Sequence, residues 1–185
     1  MVCFTYVFPC LWEDHCKVGF SKDPLTRLAA FHGRWFESFD LDRGFLIETE
    51  KERDARDLEL QLRRPLLEHK APKPMSVRQA AGGHTEWLRG AFTHLEEQGL
   101  VLERRGYTLH RPSRTWLATR LASRCDALYS WASAQWSASQ LVGDQRGPLL
   151  LHLRDALDAH AALDLDVAPF LPDDVARWYF GAEEG

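Results

Sequence analysis

The chain has 185 residues, 45% of them hydrophobic and 27% charged, which suits one domain with its own core or a domain and an appendage. With 23 Lys and Arg against 27 Asp and Glu, the formal charge of −4 excludes a polybasic binder that holds nucleic acid by neutralising phosphate over its whole surface. No run approaches the ~18 apolar residues of a membrane span, and the start MVCFTYVF lacks the basic and small-residue pattern of a secretory leader, so the expectation is a cytoplasmic protein with no membrane partner.

Phe4 to Pro9 is a β-rich run, Cys16 to Phe20 is a second, and the connection through Leu11-Trp12-Glu13-Asp14 has hairpin length, which predicts two antiparallel strands. Asp23 and Pro24 supply a cap and a first-turn proline for a helix with Leu25, Leu28 and Phe31 on one face. A third strand is expected near Ile47, after an irregularity at Asp42-Arg43-Gly44. Thr49 and Glu52 have capping-box spacing for a helix with Ala55, Leu58 and Leu62 on one face, which Pro65 must end. Residues 71–83 read as a loop. Thr85 is then expected to cap a helix through Trp87, Leu88, Phe92 and Leu95 that stops at Gly99, with a short hairpin around Arg105-Gly106.

Beyond that the pattern is helical. Leu117, Leu121, Cys125, Leu128 and Ala132 form one stripe, Leu150, Leu153 and Leu157 another, and a last helix is expected from Pro172. The expected fold is α+β: a small three-stranded antiparallel sheet flanked by helices over residues 1–105, and an all-helical extension over 106–185. Residues 143–185 hold three Arg against nine Asp and Glu, so the extension is the acidic part. Cys3, Cys10, Cys16 and Cys125 match no zinc spacing and read as reduced packing thiols.

Laid on these elements, the reactive side chains make an ordered set: Thr5-Tyr6-Val7 on the first strand, Lys17-Val18-Gly19 on the second, Arg27 eight residues after the glycine, and Glu59 on a later helix. This arrangement resembles the GIY-YIG nuclease superfamily, in the branch with a Lys-Ile-Gly type second motif. Thr85-Glu86-Trp87-Leu88 is similar to the Glu-Trp-Phe tail of that branch. Phe4-Thr5 stands where the family has Gly-Ile, and Lys17 where many members have a second Tyr. The likeness covers residues 4 to 90, about half the chain.

The resemblance implies a divalent-metal-dependent endonuclease acting on DNA, with Mg²⁺ or Mn²⁺ as cofactor. In it Tyr6 would be the base, with Lys17 assisting. The residue chemistry agrees with such work. Arg27 carries a permanent planar charge suited to phosphate oxygens. Glu59 offers the single carboxylate that suits Mg²⁺, which keeps several of its waters. Glu86 is a candidate second metal contact, and His32, five residues after Arg27, a candidate phosphate or leaving-group partner. Arg63, Arg64, Lys70 and Lys73 cluster after the Glu59 helix and are candidate substrate contacts. Two competing readings stand beside this one: a non-catalytic nucleic-acid-binding module, and a toxin or effector nuclease checked by a cognate inhibitor. The C-terminal helices would serve dimerisation or a regulatory or inhibitor protein.

Overall fold

The computed structural model describes residues 1–78, 86–142 and 147–181. The chain divides into two compact units, Met1–Leu117 and Ala118–Gly185. The first unit runs past residue 105 because two later segments are tied into it. Leu109–His110 joins the sheet beside Leu46 and Ile47. Ser113 donates its Oγ–H to the Leu41 carbonyl (2.9 Å) and its N–H to the Gly44 carbonyl (2.8 Å).

The first unit is α+β. Its elements are β1 (Cys3–Pro9), β2 (His15–Ser21), α1 (Pro24–Phe31), α2 (Trp35–Ser38), β3 (Phe45–Thr49), α3 (Glu52–Arg63), a 3₁₀ segment Arg64–His69, β4 (Trp87–Arg89), α4 (Phe92–Arg104), β5 (Leu109–His110) and α5 (Ser113–Ala122), which runs across the division between the units. Among the described residues the sheet has five strands in the order β4-β2-β1-β3-β5, every neighbouring pair antiparallel. The three expected strands are its centre. The two unexpected ones are edge strands of three and two residues, too short to show a period of their own.

Alternation along the central strands gives the sheet two faces. One carries Val7, Val18 and Ile47, which pack on Leu58 and Leu62 of α3. Thr5 is buried on this face and donates its hydroxyl to the Ala55 carbonyl at 2.8 Å, fixing α3 on β1. The other face is aromatic. Tyr6 stacks on Phe8 with centroids 5.0 Å apart, Phe39 lies 6.3 Å from Trp87, and Phe31 meets Trp87 edge-on at 6.0 Å. Aromatic pairs of this kind contribute about 0.5–1.5 kcal/mol each beyond their burial.

Four local expectations are corrected. Thr49 ends β3 and donates its hydroxyl to the Cys3 carbonyl (2.9 Å), so Lys51 is the N-cap of α3 and the capping box does not form. Trp87 and Leu88 are strand: Leu88 pairs with Cys16 on the edge of β2, and α4 begins only at Phe92 and runs through Gly99 to Arg104. Thr85 lies outside the described residues. Arg105-Gly106 ends α4 instead of turning a hairpin. Gly106, at φ +97°, adopts the left-handed conformation of a helix terminator, and Tyr107 N–H closes back on the Leu102 carbonyl at 3.2 Å. The stripe from Leu117 to Ala132 is broken after Ala122, where the Ser123 hydroxyl donates to the Arg120 carbonyl at 2.7 Å.

The second unit is helical among its described residues: the end of α5, a 3₁₀ turn (Cys125–Ala127), α6 (Leu128–Val142), α7 (Pro148–Ala162), a 3₁₀ turn (Ala168–Phe170) and α8 (Asp173–Gly181). Its core is built from Leu128, Ala132, Leu153, Leu157, Val175 and Tyr179. Trp131 and Trp136 pack against that core, and Trp116 packs edge-on to Phe4 at 4.8 Å in the first unit. Cys3, Cys16 and Cys125 are buried free thiols, and Cys10 is half-buried. Among the described residues, no helix is long and apolar enough to cross a membrane.

Candidate functional site

Tyr6 sits in the middle of β1, directly opposite Gly19 on β2. Its ring lies across the glycine: a Cβ at position 19 would stand 2.4 Å from the phenolic oxygen and 2.6 Å from Cζ. Only glycine leaves room for the ring there. The tripeptide Lys17-Val18-Gly19 therefore ends in glycine for a steric reason that the strand alone does not supply. Burial pushes the Tyr6 phenol up to about 12, against the lowering effect of the hydrogen bond and charge of Arg27. Near neutrality Tyr6 is a protonated phenol.

Arg27 comes from α1, one turn past Pro24. Its guanidinium carbon lies 4.6 Å from the Phe31 ring centroid, which holds the planar group in place while its N–H groups meet Tyr6. Glu59 belongs to the buried stripe of α3 with Ala55, Leu58 and Leu62, its side chain only 7% exposed, and its Oε1 accepts from Arg63 one turn on. A carboxylate so far from water needs that partner.

Lys17 is the least expected. Its side chain is wholly buried, with Nζ 2.6 Å from Glu86 Oε2 and 5.6 and 5.4 Å from the ring centroids of Phe31 and Trp87. Burial lowers its ammonium to about 8, although the hydrogen bond and charge of Glu86 pull the other way. Glu86 immediately precedes β4, its carbonyl accepts from Val18 N–H at 3.1 Å, and its side chain is 28% exposed.

Tyr6, Gly19, Phe20, Arg27, Glu59 and Glu86 line one cleft of about 240 Å³. β1, β2, α1, α3 and the approach to β4 each contribute, so the cleft exists only in the folded unit. No protein-family model matches the chain, and neither a curated protein nor a solved structure matches it.

Of the residues singled out in the sequence, Tyr6, Arg27, Glu59 and Glu86 meet at the cleft. Lys17 lies behind it, in contact with Glu86. His32 is apart: it caps the C-terminus of α1, and its Nδ1 accepts the Arg34 N–H at 3.0 Å, which builds the turn into α2. Among the basic candidates, Arg63 is spent on Glu59 and Lys73 donates to the Val77 carbonyl at 3.1 Å, while Arg64 and Lys70 are exposed. Farther along the chain, Arg111 is paired with Glu96 and Arg114 with Asp42. Phe20 is the cleft residue that the sequence reading missed; its adjacency to Gly19 was the available signal.

Among the described residues no group of three or more His, Cys, Asp or Glu side chains gathers to hold a metal. The cleft's donors are hard oxygens, with the Glu59 carboxylate flanked by the phenol of Tyr6. Such a set fits a hard, largely hydrated cation such as Mg²⁺ and not zinc, which prefers a closed set of nitrogen and sulfur ligands.

Proposed function

We propose that the chain is a divalent-metal-dependent nuclease of the GIY-YIG kind, hydrolysing phosphodiester bonds of DNA, with the strands β2-β1-β3 as the nuclease core. The observation that carries this reading is the convergence of Tyr6, Arg27, Glu59 and Glu86 on one cleft around Gly19. Five separate segments bring together a fixed guanidinium, a buried carboxylate, a second carboxylate and a phenol, groups suited to binding phosphate, holding a cation and orienting water in phosphodiester hydrolysis.

In this reading Arg27 binds the non-bridging oxygens of the scissile phosphate, where its planar N–H groups form charge-assisted hydrogen bonds. Glu59, anchored by Arg63, would hold Mg²⁺ or Mn²⁺. Bound there, the cation supplies Lewis-acid charge at the phosphoryl oxygens. Tyr6, locked between Gly19 and Arg27, presents a phenolic oxygen at the attacked side and orients water. The exposed cations of Arg64 and Lys70 are left for the flanking strand, a local footprint consistent with a chain of net charge −4.

The direct test is cleavage of plasmid DNA by the full chain with Mg²⁺. Glu59→Ala and Arg27→Ala are each expected to lower the rate about 10²–10³-fold or more, as for removal of a group that stabilises transition-state charge. Retained, salt-sensitive DNA binding with no cleavage by wild type in Mg²⁺ or Mn²⁺ would replace the nuclease by a binding module. Toxicity on expression that Glu59→Ala relieves would mark an effector nuclease.

A further inference from the structure

The cleft does not stop at Arg27. A groove of about 490 Å³ adjoins it, and Phe20 and Arg27 line both spaces. Its volume falls within the roughly 300–1,000 Å³ of sites that hold small ligands. Beyond Arg27 its walls carry Lys22, Asp23 and Glu52, with Lys22 Nζ 2.8 Å from Glu52 Oε2 and the Thr26 hydroxyl donating to Asp23 Oδ2 at 2.7 Å. A phosphate passing Arg27 meets two carboxylates and an ammonium already held by one of them, whereas an uncharged group meets no repulsion.

Phe20 follows Gly19 on β2, opposite Thr5 of β1. It is only half-buried, and Arg56 of α3 has its guanidinium carbon 5.4 Å from the ring centroid. Arg56 in turn stands 3.8 Å from Glu52. The ring is thus a flat apolar surface, backed by a cation, at the boundary between the cleft and a groove that does not attract phosphate. We infer that Phe20 is the stacking platform for the base of a nucleotide next to the scissile phosphate, on the ring face opposite Arg56, and that the groove is the base subsite of the cleft; this rests on the nuclease reading above.

A nucleotide carries its base and its phosphate on one sugar, so a subsite for the base has to lie beside the phosphate site, as the groove adjoins the Arg27 cleft. Every base has a π face, so the contact holds the strand without reading its sequence. A paired base cannot reach the ring until it leaves the duplex stack, which costs least at a mismatch or in a single strand. The substrate that suits the groove is a DNA strand with an unpaired base beside the cut.

The experiment is single-turnover cleavage of an end-labelled DNA duplex by the full chain in Mg²⁺, below saturation, with the cut mapped first and single bases around it then removed in turn. Removal of one base beside the cut is expected to slow wild type about 5–150-fold, the range for a base stacked on an aromatic ring, while exchange for another base costs far less. Phe20→Leu keeps an apolar side chain and should lose a similar factor on intact DNA. Base removal should then cost this variant little more, because both changes delete one contact. Phe20→Trp should keep the rate and its dependence on the base. Ala30→Met, at an exposed position on the α1 wall of the groove, should lower the rate and the base dependence together, and it carries the test if Phe20→Leu fails to fold. A mismatch opposite the sensitive base should raise the wild-type rate. Phe20 is no platform if no base beside the cut matters, if Phe20→Leu or Ala30→Met cleaves intact DNA like wild type, if the losses from Phe20→Leu and base removal add, if Phe20→Trp is as slow as Phe20→Leu, or if the mismatch brings no gain. Failure of wild type to cleave any nucleic acid in Mg²⁺ or Mn²⁺ removes the nuclease reading and the base subsite together. Cleavage by wild type with no dependence on a neighbouring base removes the base subsite alone.

Discussion

Gly19 decides the site at the scale of one residue, because the Tyr6 ring occupies the volume that any side chain at position 19 would fill. In Gly19→Ala the new Cβ would meet the phenolic oxygen at 2.4 Å, Cζ at 2.6 Å and a ring carbon at 3.0 Å. Tyr6 is almost fully buried and stacks on Phe8, so its ring has little freedom to withdraw. Overpacking of this kind costs about 1–3 kcal/mol, and displacement of a positioned group by an ångström costs about 10²-fold in rate. Gly19→Ala is therefore expected to melt several degrees below wild type and to cleave DNA at no more than about a hundredth of its rate. A variant with wild-type melting temperature and rate would show that the ring does not need the glycine. At this scale the elements that carry Tyr6, Gly19, Arg27 and Glu59 were legible from strand and helix signals, while the choice of these four residues came from their resemblance to the GIY-YIG motifs. Lys17 could not be placed, because what buries it is Trp87 of a strand seventy positions away and Glu86, 69 residues on in sequence.

The elements show where local pattern fails. β1, β2, β3, α1 and α3 have enough residues for alternation or helical spacing to appear, and they stand close to where the pattern puts them. β4 and β5 exist because the outer edges of β2 and β3 present unpaired backbone groups, a non-local cause. The same addition of β4 to β2 carries Trp87 over Lys17 and sets Glu86 beside its ammonium, so an element invisible to periodicity assembles half of the cleft. This has a thermodynamic consequence. Burial holds the Lys17 ammonium at about 8 in the folded chain, below the 10.5 of the exposed side chain. Between pH 8 and 10.5 the unfolded chain binds the extra proton, so stability from this group rises with pH across that window; below pH 8 a constant cost of about 3 kcal/mol at most remains. Lys17→Met removes that cost. In melts recorded with EDTA at pH 7 it is expected to be as stable as wild type or more so, with the difference shrinking as pH approaches 10.5, while cleavage falls. Loss of stability and activity together would make Lys17 a structural residue only.

For the whole molecule, the net charge of −4 averages two unlike parts. Residues 1–110 carry 16 basic and 17 acidic groups, and residues 111–185 carry 7 and 10. Each compact unit has its own apolar core, one built on α3 and α4 against the sheet, the other on α6, α7 and α8. Every residue of the cleft, and the Lys17 and Arg63 that anchor its carboxylates, lies before Leu117. Separate cores predict separate folding, and a site confined to one unit predicts chemistry confined to it. A chain ending after Arg124 keeps all of α5 and the Ser123 hydroxyl bond that closes it. It is expected to unfold cooperatively by circular dichroism and to cleave a short DNA duplex in Mg²⁺ within about threefold of the full chain, since a threefold change is only about 0.65 kcal/mol of barrier. Removal of the acidic segment should if anything tighten DNA binding at low salt, an effect that fades as added salt screens the charges. A truncated chain that folds but has lost more than tenfold in rate would assign the helical unit a part in catalysis or in holding the DNA; one that fails to fold would show that the second core supports the first.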